Sequence, residues 1–177
     1  HGELAGLIRK KKGPERLQAI ELIGFARRKE STPMLLRLTR DRDREVALRA
    51  VDALGLNGDP KAVRPLLKMV SGPDETLANH AAIAVGRIGD KSALEKMLFR
   101  LKRSKKVTRR LALIRGIGLL KDERAIPVLE DVLVRSRNPL EQAAIYDATN
   151  LILGDDPFRI VVQFERIAEI LKKEGSG

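Results

Sequence analysis

The chain repeats itself at a fixed interval. LQAIELIGFARRKESTPMLLRL (17–38), LRAVDALGLNGDPKAVRPLLKM (48–69) and NHAAIAVGRIGDKSALEKMLFR (79–100) are three copies of one pattern, evenly spaced along the chain. LALIRGIGLLKDERAIPVLEDVL (111–133) and AAIYDATNLILGDDPFRIVVQF (143–164) continue the series, each displaced by one further position. Gly24, Gly55, Gly86 and Gly118 coincide, with Asn150 in the last copy. Ala19, Ala50 and Ala81 coincide, replaced by Leu113 and Ile145 later, and Leu35, Leu66, Met97, Leu129 and Val161 form a third column. A period of this length means stacked units, each burying its apolar face on its neighbours.

Each copy reads as two helices. VALRAVDALG and AVRPLLKMV both place apolar residues three and four apart, the spacing of one helical face. Between them lie Gly58-Asp59-Pro60, Gly89-Asp90, Lys121-Asp122 and Gly154-Asp155-Asp156-Pro157. Glycine permits the left-handed exit from one helix, and aspartate caps the free N–H groups of the next. Pro33, Pro65 and Pro127 fall near second-helix starts, where no intrahelical N–H is lost. Asn138-Pro139-Leu140-Glu141 predicts a capping box. A large side chain at Ala50 or Ala81 should overpack the contact by roughly 1–3 kcal/mol, so Leu113 and Ile145 require respacing or repacking.

The pattern A-x(4)-G-x(3)-D-x-x-A-[VIL]-x-x-[LM], at Ala50–Leu66, Ala81–Met97 and, with Leu113 for the alanine, 113–129, resembles HEAT repeats. The short type, whose period matches this one and which is also found in phycobilisome-lyase-like proteins, is the most similar. Arg28 departs from the pattern at the first turn's aspartate, and Ile145 and Asn150 depart in the last copy. The resemblance implies an all-α, right-handed solenoid of about five helix pairs. Its repeats span approximately 13–42, 43–73, 74–105, 106–137 and 138–173, with a tail at 174–177. Leu4 and Leu7 stand one period before Leu35 and Leu38, so residues 1–12 read as the second helix of a preceding repeat. Together with a start at His1, this suggests a piece of a longer protein.

Catalytic chemistry is hard to assemble from these residues. Without Cys, disulfides and thiolate metal sites are excluded, and His1 and His80 are the only histidines. Deoxyhypusine hydroxylases resemble this repeat but bind iron through His-Glu pairs, and neither histidine here precedes Glu. His80 reads as a helix-surface or packed residue. Alkylpurine DNA glycosylases, also HEAT-like and basic, use a Trp-rich cleft, whereas this chain has no Trp and one Tyr. A bilin lyase would likewise want aromatic side chains. GLNGD and GRIGD lack the Gly-Lys-Ser/Thr ending of a phosphate loop. Asp41/Asp43 and Asp155/Asp156 read as turn and cap residues, and Phe25, Phe99, Phe158 and Phe164 are spaced like core residues. The expectation is a non-enzymatic protein without cofactor or metal. Nothing resembles a signal peptide or membrane span, and with the absence of Cys this fits a cytoplasmic protein.

Charge supplies the remaining signal. Residues 1–115 carry 27 Lys/Arg against 13 Asp/Glu, and 116–177 carry 8 against 11. LKRSKKVTRR (101–110) holds six cations, Lys102, Arg103, Lys105, Lys106, Arg109 and Arg110, at an inter-repeat turn with Ser104 placed as an N-cap. Lys105 and Lys106 oppose the dipole of the following helix, where Asp43, Asp74 and Glu75 serve earlier copies. The run is either a solvated turn or a patch for phosphate or an acidic partner. In HEAT-like solenoids second helices line the concave surface, so Arg37, Arg64, Lys68, Lys96 and Arg100 would form a basic ladder there, ending at Glu130 and Asp131. The reading is a scaffold binding a protein partner on that face. Two alternatives remain open: sequence-independent nucleic-acid binding through the basic N-terminal two-thirds, and a structural spacer.

Overall fold

The computed structural model describes residues 6, 8, 13–154, 159, 162, 165–169 and 172. Leu4, Leu7, Phe158, Phe164, Asp155, Asp156 and the 174–177 tail lie outside the described residues. Among the described residues, nine helices with defined bounds alternate as first and second members of successive pairs. They are α1 (Gly13–Phe25) and α2 (Thr32–Leu38), α3 (Arg44–Asn57) and α4 (Val63–Val70), α5 (Glu75–Ile88) and α6 (Leu94–Arg103). α7 (Val107–Leu119), α8 (Ile126–Arg135) and α9 (Pro139–Leu153) complete the series, and no strand occurs among the described residues. Gly6, Ile8 and the described residues from 159 onward are helical.

The turn inside each pair is more elaborate than a single cap. A short 3₁₀ turn precedes each second helix, at Lys29–Ser31, Pro60–Ala62, Lys91–Ala93 and Glu123–Ala125. The predicted aspartates cap this turn rather than the α-helix itself. Asp59, Asp90 and Asp122 accept from the N–H groups of Lys61, Ser92 and Arg124. Gly58 and Gly89 take left-handed φ values of 72° and 77°. Arg27 and Lys121, at the equivalent positions, hold φ 51° despite their side chains. Arg28 makes no side-chain cap, yet its turn still forms.

Successive first helices α1, α3, α5, α7 and α9 run side by side at close range. Each second helix packs on the next pair's first helix, and successive second helices approach one another less closely. Small residues set the close spacing. A Cβ on Gly24 would stand 2.8 Å from Ala53 Cα, one on Gly55 2.8 Å from Ala84 Cα, and one on Gly118 2.7 Å from Ala148 Cα. On Gly86 it would stand 2.2 Å from the Gly116 carbonyl oxygen. Ala53, Ala84, Gly116 and Ala148 thus form a fourth column of the repeat, the counterpart of the glycine column one unit earlier. Leu35, Leu66, Met97 and Leu129 fill the space between the layers, each at 0% exposure. Leu113 and Ile145 are as buried as the Ala50 and Ala81 they replace, so the last copies repack around the larger chains.

Polar ties bridge neighbouring repeats. Thr32 Oγ1 donates to Asp59 Oδ2 at 2.7 Å and accepts from Asn57 Nδ2 at 3.0 Å, all three residues being buried. On the first-helix layer Glu21 pairs with Arg49 at 3.1 Å and Asp52 with His80 at 2.9 Å. Arg44 reaches Asp74 at 2.9 Å, and within the first repeat Arg16 reaches Asp41 at 2.7 Å.

The caps make the fold acid-sensitive. Burial raises the pKa of Asp59, but the Thr32 hydroxyl and the Lys61 N–H and charge together lower it further, leaving it below its ordinary 3.8. Asp122 is lowered chiefly by hydrogen bonding from Arg124, against burial. A carboxylate with a folded pKa below its unfolded one stabilises above the unfolded value and loses that contribution as pH falls through the folded one. The melting temperature should therefore hold between neutral pH and about pH 5 and fall below about pH 4. Thermal melts across that range check this, and Asp59→Asn should shrink the drop.

Candidate functional site

The two basic features of the sequence have different fates. Arg37 lies on α2, Arg64 and Lys68 on α4, and Lys96 and Arg100 on α6, all five exposed. None makes a hydrogen bond or ion pair with a described residue, in contrast to Arg16, Arg44 and Arg49 on the first helices. The register places Arg37 and Lys68 at the same position of successive second helices, with Phe99 third.

In residues 101–110 half of the cations are already engaged. Lys106 Nζ pairs with Glu75 Oε2 at 2.5 Å, and the Thr108 hydroxyl donates to the other Glu75 oxygen. These two donors hold the Glu75 carboxyl below its ordinary value. Lys106 occupies the N-cap of α7 without a side-chain cap bond. The anion that suits this helix start thus comes from Glu75, one full period upstream. Ser104 does not cap α7, as its position had predicted; it closes α6, with its N–H donating to the Arg100 and Leu101 carbonyls. Arg109 donates to the Gly72 carbonyl at 3.3 Å. Arg110 pairs with Glu141 at 2.5 Å and donates to the carbonyls of Leu101 at 3.0 Å and Ser104 at 3.2 Å. Lys102, Arg103 and Lys105 remain exposed.

The same network revises the capping box. Asn138 accepts from the Leu140 N–H at 2.9 Å as predicted. Glu141, however, turns to Arg110 and to the Ser136 hydroxyl at 2.8 Å, and the Asn138 N–H goes to Ser136 Oγ instead. A guanidinium beside a buried carboxylate is a stronger attraction than one backbone N–H.

Phe25 and Phe99 are not core residues: they are 60% and 56% exposed. The buried face of α6 is Leu94, Met97, Leu98 and Leu101, and Phe99 projects about 100° away from Leu98. Arg103 lies over its ring, 5.4 Å from the centroid, a cation–π contact among the free cations of α6. The signal was available: Phe99 falls in the column of Arg37 and Lys68, an exposed one. At the far end of the ladder Glu130 is buried and paired with Arg166, and Asp131 pairs with Arg135. Both acidic residues are thus compensated internally.

Among the described residues no group of three or more His, Cys, Asp or Glu is placed to hold a metal ion. No helix among them is long and apolar enough to cross a membrane.

The repeat geometry has a match in sequence. Residues 4–82 and 63–149 fit the family profile of HEAT repeats. The chain belongs to the HEAT-repeat family. HEAT domains are typically non-catalytic helical scaffolds that mediate protein interactions. The solved complex of CpcE and CpcF of phycocyanin lyase from Nostoc sp. PCC7120 contains a chain of similar fold, with TM-score 0.66 and 19% identity. The match covers 98% of this chain and 69% of that one, and at this identity it shows a shared HEAT-like solenoid. No curated protein matches the chain.

Proposed function

We propose that this HEAT-repeat chain is a non-enzymatic scaffold whose second helices bind an acidic segment of a partner protein. Arg37, Arg64, Lys68, Lys96 and Arg100 act as electrostatic guides. One observation carries the reading: these five cations are exposed and have no ion pair with a described residue, while Arg44 and Arg49, which bridge the repeats, are neutralised. Unpaired charge on a helical layer raises the encounter rate with a complementary surface. Phe99, exposed under Arg103, supplies an apolar contact within the same face.

A panel of acidic helical peptides, read by fluorescence anisotropy, tests this. The R64E/K68E variant should bind the best peptide about tenfold or more weakly, with an unchanged melting temperature. Equal binding by parent and variant would remove the second-helix face from the proposal. Duplex DNA and single-stranded RNA form the second arm, across a salt titration. An interface neutralising about six phosphates would lose roughly a thousandfold in affinity between about 50 and 200 mM salt. The pairing of Lys106 with Glu75 and of Arg110 with Glu141 supports the protein-partner reading, because it neutralises two of the six charges that residues 101–110 could offer a polyanion.

A further inference from the structure

Among the described residues, the polar pairs that close the outer side of the first-helix layer occur at one end of the stack. Glu21 meets Arg49, and Asp52 meets His80. The repeat register puts Ile83 and Ala112 at the third seam, and Arg115 and Ala144 at the fourth. Alanine supplies neither the volume nor the hydrogen-bonding groups of Arg49 or His80. A groove of about 970 Å³ opens there, along the outer face of α7 and α9. Ala112, Ala144 and Ala148 contribute to its lining. Leu140 and Leu151 line it as well, 65% and 38% exposed. Arg115 and Asp147 are exposed along the same groove and form no ion pair with a described residue.

We propose that this groove is the contact surface between two copies of the chain, related by a two-fold axis that runs parallel to α7 and α9 between Arg115 and Asp147. The argument is self-complementarity. Arg115 and Asp147 occupy the same register position on adjacent first helices and carry opposite charges. A two-fold axis between them brings Arg115 of each copy to Asp147 of the other, forming the pair twice. The same rotation sets Leu119, at the end of α7, against Leu151 near the end of α9 in the other copy. It likewise sets Leu111 against Ala143, one turn from Leu140. Leu111 of each copy then enters the space left by alanine in the other, and Leu119 packs on Leu151, so one patch supplies both the projections and the hollow. A partner of single-signed charge would satisfy one rim of the groove and be repelled by the other. The surface is separate from the basic second-helix face, so either proposal can fail without the other.

Sedimentation equilibrium over a wide concentration range tests the dimer. The parent should move from 19.7 kDa toward twice that mass as concentration rises. R115E and D147R should each weaken association by about tenfold or more, since like charges then meet twice across the axis. The double variant R115E/D147R should restore most of it. L140E, placing a carboxylate in the first turn of α9 where the helix dipole favours it, should disrupt association while melting like the parent. A parent monomeric throughout would overturn the proposal. So would a dimer indifferent to R115E and D147R, or a double variant no better than the singles.

Discussion

Replacing Gly86 with alanine should cost about 3 kcal/mol of stability, the upper part of the range for overpacking. The added Cβ would lie 2.2 Å from the Gly116 carbonyl oxygen and 2.8 Å from Gly116 Cα. Both are backbone atoms of α7, so no side-chain rotation relieves the clash and the two helices must part. Gly116→Ala should behave alike, its Cβ falling 2.3 Å from the Ala82 carbonyl oxygen. For a domain of this size that loss lowers the melting temperature by roughly 6–12 °C. Gly6→Ala is the control: nothing lies within 4 Å of its added Cβ, and alanine is the better helix former. A Gly86→Ala protein that melted with the parent would show that another contact sets the distance between α5 and α7.

Arg110→Met should be almost as damaging, at about 3 kcal/mol. Glu141 is 6% exposed and has two side-chain partners, the Arg110 guanidinium and the Ser136 hydroxyl. Without the guanidinium a carboxylate stays in a nearly dry position, and the carbonyls of Leu101 and Ser104 lose their donor. Glu141→Gln in the same background should recover part of the loss by removing the stranded charge. Chemical denaturation of the single and double variants measures both steps. Strictly additive losses would mean that the pair does not act as a unit.

These two sites also mark how far the sequence can be read. The glycine column at 24, 55, 86 and 118 is visible because one rare residue type recurs at the same phase. Its counterpart, Ala53, Ala84, Gly116 and Ala148, is just as regular, but alanine is common in helices and gains meaning only when seen beneath a glycine of the preceding unit. The inner turns were legible as Gly-Asp, while the 3₁₀ turn they cap has no distinct residue signature. The misplaced caps share one cause. Ser104 and Glu141 were read against near neighbours, whereas Lys106 answers to Glu75 and Glu141 to Arg110, each one period away. In a stacked protein, residues one period apart are neighbours, and local motifs compete with them. Phe25 and Phe99 show a related error. Aromatic character suggested burial, yet a seam closed by glycine on alanine leaves little room for a ring. The basic ladder was found by register, and its exposure agrees with that register; what it binds is not written in the column itself.

The backbone contacts along the first helices have a mechanical consequence. That edge behaves as an inextensible spine, because lengthening it would separate glycine from alanine and shortening it would drive main chain into main chain. The second helices touch through longer side chains, which can rearrange without breaking a seam. Deformation of the stack therefore concentrates on one side, as the leaves of a fan spread while its pivot stays fixed. On the proposed reading, the spacing of Arg37, Lys68 and Arg100 would stretch to suit a bound segment, and the spine would return it to its resting length on release.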